Sequence, residues 1–474
     1  MKKIILFITA FIFIFLIPGC SCKFEEDKEK VERQSINVPL ITAYLSKNIN
    51  GNYTAIYPFN TNISLVYFYE SEGEKASSYF IEEYVRLHQL FDRHYYYFDD
   101  NGELINNLKM INESDTPIVV DQDLINIIKE GIKFTKLSKG KFNIGVGNLS
   151  SLWDGFINNG YYSAYLDSSK IKFYSYEDGD YIESNDGKYI FFNGIYIDIT
   201  NMKRYTLLDG STYQEDDNGL YINVKNIAPS SEQINQAMAC VPDYSNIENI
   251  VVVDDENNTV KINNIDGCNT RVTITLGALA KSYAAEKIGN DERLKSGNFL
   301  INAGTSTIKI IGDNLARDNG NWGVGITDSY LVYSREYNFA SYLMTLEDSV
   351  SVSTSSGDQN HYYYNEHYYH HIIDPITGYP NENRLAVTAV TSNAMYADIV
   401  TTALMSMNMQ ESKEFINELE NNDIEIEVFI QDKYDNSNRV YASSNMKKWV
   451  TIRSNDDLID YLNSIVIEDF NYDS

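Results

Sequence analysis

Apolar and polar positions alternate with a period of two over residues 42–45, 53–57 and 63–69, which predicts three half-buried strands. From about 77 to 91 the spacing lengthens. Ile81, Tyr84, Val85, Leu87 and Leu90 then form one stripe, the mark of a helix lying on a core. Asp121 is a good N-cap for a second helix that carries Leu124, Ile127, Ile128 and Ile132 on one face and stops near Gly140. From 155 to about 230 the periodicity dissolves into Tyr, Asp, Asn and Gly with short strand-like runs at 189–192 and 195–199, and this region reads as an insertion. Ordinary α/β patterning then resumes, with a helix near 231–240 and strands at 250–253, 259–262, 299–302 and 307–311. Residues 273–284 read as a strand, a tight glycine turn and a helix start, an arrangement that leaves backbone N–H groups free for an anion. The chain closes with a helix at 412–419, a strand at 424–430 and a capping-box helix from Ser454 to Ile465.

The N-terminus has a different pattern. Met1-Lys2-Lys3 precedes an apolar run from Ile4 to Ile17 and then Pro18-Gly19-Cys20, a basic region and short hydrophobic region of secretory type. The run is short for a transmembrane helix. Cys20 directly after Gly19 is similar to the lipobox of bacterial lipoproteins, so residues 1–19 read as a lipoprotein signal peptide and Cys20 as the lipidated residue; the other reading is an uncleaved anchor. Residues 20–40, rich in Lys and Glu, then form a charged tether. Either way the body is expected on the extracytoplasmic face of the cell membrane and tethered to it, lipid-anchored on the first reading. Cys240 and Cys268 could pair in such a compartment or remain two free thiols.

At 474 residues the chain can bury a large core. The formal net charge of −29 argues against nucleic acid as a partner, because phosphate binding needs clustered Lys and Arg. Any phosphate ligand would need a metal ion or a local nest of donors.

Candidate chemistry concentrates between His370 and Thr402. His370-His371-Ile372-Ile373-Asp374-Pro375-Ile376-Thr377-Gly378-Tyr379-Pro380 places imidazole, carboxylate and hydroxyl in a turn that two prolines and a glycine stiffen. A helix opening after Ser392 or Asn393 would set Asp398 and Thr402 four residues apart on one face, where two oxygens could share a hard cation. His361, His367, His370 and His371 admit three readings. They could ligate a transition metal, they could simply decorate a tyrosine-rich hairpin, or His371 could be a general base oriented by the nearby Asp374. Gly140-Lys141-Phe142-Asn143-Ile144-Gly145-Val146-Gly147 suggests close approach of the backbone to something, without the spacing of a phosphate loop.

Taken together these pieces resemble the FAD:protein FMN transferase family, the ApbE-type flavin-trafficking lipoproteins. The matching segments run in that family's order: Phe59-Asn60-Thr61; Phe91 to His94 with Asn112; Gly140-Lys141-Phe142-Asn143 leading to Leu149 and Trp153; and Leu276-Gly277-Ala278-Leu279-Ala280-Lys281 with Tyr283. They continue through Asn302-Ala303-Gly304, Trp322-Gly323-Val324-Gly325-Ile326, Ser356-Gly357-Asp358, the His371 to Pro380 run, and Ala397-Asp398 with Thr401-Thr402. The likeness spans roughly residues 40–430 outside 155–230, and the His371 to Pro380 run is its most specific part.

The resemblance implies an α+β fold, a single large T-fold-related catalytic body over 41–470 with mixed and antiparallel sheets and flanking helices. It implies FAD as substrate, Mg²⁺ as cofactor, and FMN passed through a phosphoester to a Thr or Ser of an acceptor protein. By position, Mg²⁺ would be held by the Ala278 carbonyl, Asp398 and Thr402, with Thr401 adjacent, and His371 would be catalytic. Phe59, His94, Lys141, Phe142, Asn143, Thr275, Lys281 and Ile373 would line the flavin site. The sequence departs from the family pattern at Thr275 and Asn143, each where an Asp is usual, at Ser282 in place of Gly, at Thr305-Ser306 in place of Gly-Asp, and at His94 in place of Tyr or Trp. Two other functions stand beside the transferase: a lipoprotein that binds or hydrolyses FAD without transfer, and a tyrosine-rich surface protein indifferent to flavin.

Overall fold

The computed structural model describes residues 31–470 apart from 48–52, 305, 336–337, 359, 365–366 and 435–436, and within 158–227 it describes only the backbone of 158–159 and of the strands. The signal segment and Cys20 lie outside the described residues.

Strand β1 (Gln34–Asn37) pairs antiparallel with β2 (Ile63–Tyr67), so part of the stretch read as tether is the edge of a sheet. Its only inward residue of note is Ile36, which leaves no alternation to read. Helix α1 (Glu70–Phe91) follows and starts earlier than its apolar stripe suggests. Its first turns are polar, but Gly73 lies flush under the Tyr67 ring, where a Cβ would come within 2.3 Å. Helix α2 (Gln122–Leu137) begins as expected, with the Asp121 carboxylate accepting from the Asp123 N–H.

After the 158–227 region, whose described strands form two small antiparallel sheets, come helix α3 (Ala280–Gly289) and strands β3 (Phe299–Ala303), β4 (Thr307–Ile311) and β5 (Ser351–Ser356). A hairpin of β6 (His361–Tyr364) and β7 (His367–His370) precedes β8 (Arg384–Thr391), helix α4 (Ala394–Met405), β9 (Glu427–Tyr434), β10 (Ser437–Ala442) and β11 (Ile467–Asp469). Among the described residues the main sheet has nine strands in the order β1-β2-β3-β4-β5-β8-β9-β10-β11, antiparallel except for the last pair.

Both faces of this sheet are covered. Val387, Ala389, Val428 and Ile430 pack with α1, α2 and α4 on one side, while Val390 and Phe429 turn to Trp322, Tyr342 and Met344 of a smaller sheet on the other. Burial on both sides explains why every residue of β8 is buried and why its apolar positions do not alternate with polar ones.

Residues 273–276 form no ladder. They are extended, and Asn112 holds them by accepting from Ile274 N at 2.9 Å and donating to Ile274 O at 2.9 Å. Asn148 accepts from Thr273 N at 3.0 Å, and Ile144 O accepts from Thr275 N at 2.8 Å. The two Asn side chains and the Ile144 backbone carbonyl satisfy backbone groups that a neighbouring strand would otherwise pair. The final helix also differs: Asn455, not Ser454, caps a 3-10 turn (Asp456–Leu458) that runs into the helix at Ile459–Ser464.

Cys240 and Cys268 are joined by a disulfide that closes a loop of sequence separation 28. In the chain-entropy view such a cross-link stabilises by about 3–4 kcal/mol. Cys240→Ser should therefore lower the unfolding free energy by about that amount in a denaturant titration, and reductant should do the same to the parent protein.

Candidate active site

Helix α4 supplies the site's floor. Asn393 caps it, its side chain accepting from Met395 N at 2.9 Å and Tyr396 N at 3.1 Å. Glu286 on α3 accepts from Ala394 N at 2.6 Å, while buried Lys309 binds Glu286 at 3.0 Å and the Ser392 carbonyl at 2.8 Å. At the other end the buried Arg384 guanidinium holds the Leu404 carbonyl at 2.8 Å and Asp432 at 2.5 Å. Both ends are anchored by charged groups, so the register of Asp398 and Thr402 is set.

Asp398 is 4% exposed. Its Oδ1 accepts from Ser353 Oγ at 3.1 Å, and Thr307 and Ser282 hydroxyls lie beside it. Its Oδ2 is buried with no hydrogen-bond partner. Burial pushes the carboxyl's pKa up against the opposing pull of Lys281 and the hydroxyls. Such an oxygen is a costly feature unless a cation completes it. One turn on, Thr402 is only partly buried; its Oγ1 lies 3.4 Å from Ser355 Oγ and donates to the Asp398 carbonyl at 3.0 Å. Thr401 is buried, accepting from Ser355 Oγ at 2.8 Å. A carboxylate oxygen without a donor and, one helical turn on, the hydroxyl of a partly exposed threonine make a donor set suited to a hard divalent cation. Ala278, in the loop before α3, is also partly exposed.

Above this floor lies the histidine turn. His371 is open to solvent, yet the protein around it and the Lys281 ammonium both push its pKa below the ordinary imidazole value. Lys281 thus acts electrostatically on both His371 and Asp398. The expectation that Asp374 orients His371 is not met. Asp374 Oδ2 accepts from Lys141 at 3.1 Å and Oδ1 accepts from Ile376 N at 2.9 Å, so this carboxylate braces the turn. The Asn360 backbone carbonyl accepts the His371 backbone N–H at 3.1 Å and works against the downward push on the imidazole.

The transition-metal reading of the histidines is also not what the fold builds. His361 and His370 are paired across the β6–β7 hairpin, His367 turns outward to Glu382 at 2.7 Å, and His370 is wholly buried with Nε2 on the Asn381 carbonyl. Among the described residues no group of three or more His, Cys, Asp or Glu side chains is placed to hold a metal.

The remaining candidates divide by exposure. Thr275, Lys281 and Phe59 are half-buried and His94 is exposed. Phe142 belongs to the core, and Ile373 packs with Trp153 and Tyr369 under the turn. Lys141 is committed to Asp374, the Ser406 carbonyl at 3.0 Å and Glu411 at 3.4 Å. Asn143 donates to the Pro242 carbonyl at 2.8 Å and accepts from Gly145 N at 2.8 Å. The close approaches made by Gly145 and Gly147 are to Pro242 and Thr273 of the chain itself. A cleft of about 780 Å³ along the outer face of α2 is lined by none of these residues.

Several contributors escaped the sequence reading, namely Glu286, Lys309, Thr307 and Ser353, while Ser282 entered it only as a departure from the family pattern. Of those four only Ser353 left a trace, it and Ser355 being alternate members of a Ser/Thr-rich run that a strand aims to one face.

These features define a class: a mixed α/β body in which one anchored helix presents a carboxylate and a hydroxyl beneath an open imidazole. The family model described as the ApbE family matches residues 59–176 and 198–428, and the chain belongs to that family. Comparison with the curated proteins finds none that matches. Among solved structures, the ApbE protein of Thermotoga maritima aligns with TM-score 0.54 and 20% identity over 84% of this chain and 98% of its own. A variant of the flavin transferase ApbE from Vibrio cholerae gives 0.55 and 17% over 88% and 99%, and the apo flavinyl transferase ApbE of Pseudomonas stutzeri gives 0.53 and 15% over 90% and 98%. At these identities the likeness establishes the shared fold.

Removing the charge at position 398 should stabilise the metal-free protein while disabling the site. Asp398→Asn is expected to unfold about 1–2 kcal/mol later than the parent in the presence of chelator. It should also lose any rise in Tm that Mg²⁺ gives the parent; a retained Mg²⁺ shift would remove Asp398 from the cation site.

Proposed function

We propose that this protein is a Mg²⁺-dependent FAD:protein FMN transferase, held by a lipid at Cys20 on the extracytoplasmic face of the cell membrane and acting on redox proteins there. The observation that carries the reading is the buried, unpartnered Asp398 oxygen beside Thr402, with Lys281 and His371 above it, in a chain of the ApbE family. Relatives in that family bear the name flavin transferase.

In this reading the FAD pyrophosphate lies between the α4 floor and the histidine turn. Asp398, Thr402 and the Ala278 carbonyl would hold Mg²⁺, which when bound neutralises pyrophosphate charge and polarises the phosphorus under attack. Lys281 adds a positive charge to the same pyrophosphate, which an otherwise acidic protein needs. The free nitrogen of His371 takes the proton from the acceptor Thr or Ser hydroxyl. That oxygen bonds to the FMN-side phosphorus, the bond from that phosphorus to the bridging oxygen breaks, and AMP departs with the bridging oxygen.

Incubation with FAD, Mg²⁺ and a candidate acceptor should give an acceptor heavier by one FMN in mass spectrometry, with AMP released in equal amount. AMP and FMN without a labelled acceptor would instead identify an FAD hydrolase, and no turnover across plausible acceptors would defeat the enzyme reading. His371→Ala should slow transfer by about 10²–10⁴-fold. The downward push on His371 means its base form persists below the ordinary imidazole pKa of about 6.5. The rate should therefore hold as pH falls to that value and drop only below it; an acid limb centred above it would contradict the assignment.

A further inference from the structure

Phe59 and Asn60 both have φ of 54°, a left-handed conformation that residues bearing a Cβ keep only where their surroundings impose it. What imposes it on Phe59 lies in the interior. The Phe59 N–H donates to Nδ1 of His88, a buried residue of α1, at 3.1 Å. On the far side of that ring, Nε2 lies 2.9 Å from the Tyr97 hydroxyl. Tyr97 donates in turn to Asp92 Oδ2 at 2.5 Å, and Asp92 Oδ1 accepts the His94 N–H at 2.6 Å.

The direction of every bond in this chain is determined. A backbone N–H can only donate, so His88 Nδ1 carries no proton. The neutral ring then bears its hydrogen on Nε2 and donates to Tyr97, whose own hydrogen is left for Asp92. The Phe59 ring packs edge-on against His88 and Tyr84, with centroids 5.0 and 6.2 Å away. The next residue but one, Thr61, sits against Gly304, where a Cβ would come within 2.5 Å. Gly304 leads into β4, whose Thr307 lies beside Asp398. The network therefore joins two aromatic residues at the rim, Phe59 and His94, to one buried imidazole.

We propose that His88 is a positioning residue: its Nε2-protonated ring holds Phe59 in the left-handed conformation and, through Tyr97 and Asp92, sets the backbone of His94, so that both side chains are fixed in place for the flavin ring. This rests on the flavin site of the proposed function. Burial also lowers the His88 pKa to about 4, which keeps the ring neutral across the working range.

The test has two arms. In the unmodified protein, ¹⁵N NMR of labelled histidine should find His88 with Nδ1 unprotonated and Nε2 protonated; a protonated Nδ1 overturns the proposal without any variant. In the second arm, FAD affinity by fluorescence titration and the transfer kinetics are compared for the parent, His88→Leu, His88→Asn and Phe59→Ala. His88→Leu should raise KM for FAD about tenfold, the worth of one hydrogen bond, with the change falling on KM and not on kcat. His88→Asn, whose amide oxygen can accept the Phe59 N–H, should recover most of that loss, which a merely structural role for the imidazole would not produce. If Phe59→Ala weakens FAD while a folded His88→Leu binds it like the parent, His88 does not position Phe59. If Phe59→Ala leaves FAD affinity unchanged, the flavin does not rest on Phe59 and the proposal falls, while the transferase reading stands. No FAD binding by the parent would defeat both.

Discussion

The constraint on which the site depends is a carboxylate taken out of water with too few partners. Asp398 has the Ser353 hydroxyl on Oδ1, the Ser282 and Thr307 hydroxyls beside it, and no hydrogen-bond partner on Oδ2. Keeping an ionised group in that state costs several kcal/mol, so the surrounding fold has to hold it there. The means are visible at both ends of α4, where Glu286 with Lys309 and Arg384 with Asp432 clamp the helix. They are visible as well in the sheet, whose two covered faces keep β5 and its serines beneath the carboxylate. Stability is spent here on an arrangement that only a cation completes.

The histidine turn is built on the opposite plan, with its buried carboxylate bonded from within the fold. Asp374, the residue best placed by sequence to orient His371, is instead bound to Lys141 and to the turn's own backbone, and Trp153 donates to the Gly378 carbonyl at 2.9 Å. Gly378 takes φ of 80°, which closes the turn. His371 projects from this rigid base and keeps its solvent access. The same logic accounts for one departure from the family pattern. Asn143 must both donate, to the Pro242 carbonyl, and accept, from the Gly145 N–H. An ionised Asp could do only the second.

Much of this was legible beforehand. Helix α2 starts at its Asp121 cap and α4 at Asn393, because a cap is a local bargain between one side chain and the next turn of backbone. Strands with one wet face announced themselves by alternation. The edge strand β1, the first turns of α1 and the extended 273–276 segment did not, since their conformations are imposed by Leu65, by Tyr67 and by the side chains of Asn112 and Asn148 respectively. The histidines were ambiguous for the same reason: four in eleven positions is a composition, and only the hairpin sets His361 opposite His370 and turns His367 out to Glu382.

By itself, then, the sequence determined the kind of chemistry and its local framing: an imidazole on a stiff turn, and an Asp and a Thr at helical spacing. These follow from short-range rules of turns, caps and periodicity, which act within a few residues. Tertiary structure alone decided that Asp398 Oδ2 is left without a donor, that Asp374 serves Lys141, and that His88 reaches Phe59 from 29 residues away. Hydrogen bonds of that kind depend on where helices and sheet meet. No local pattern encodes a partner that arrives from another element.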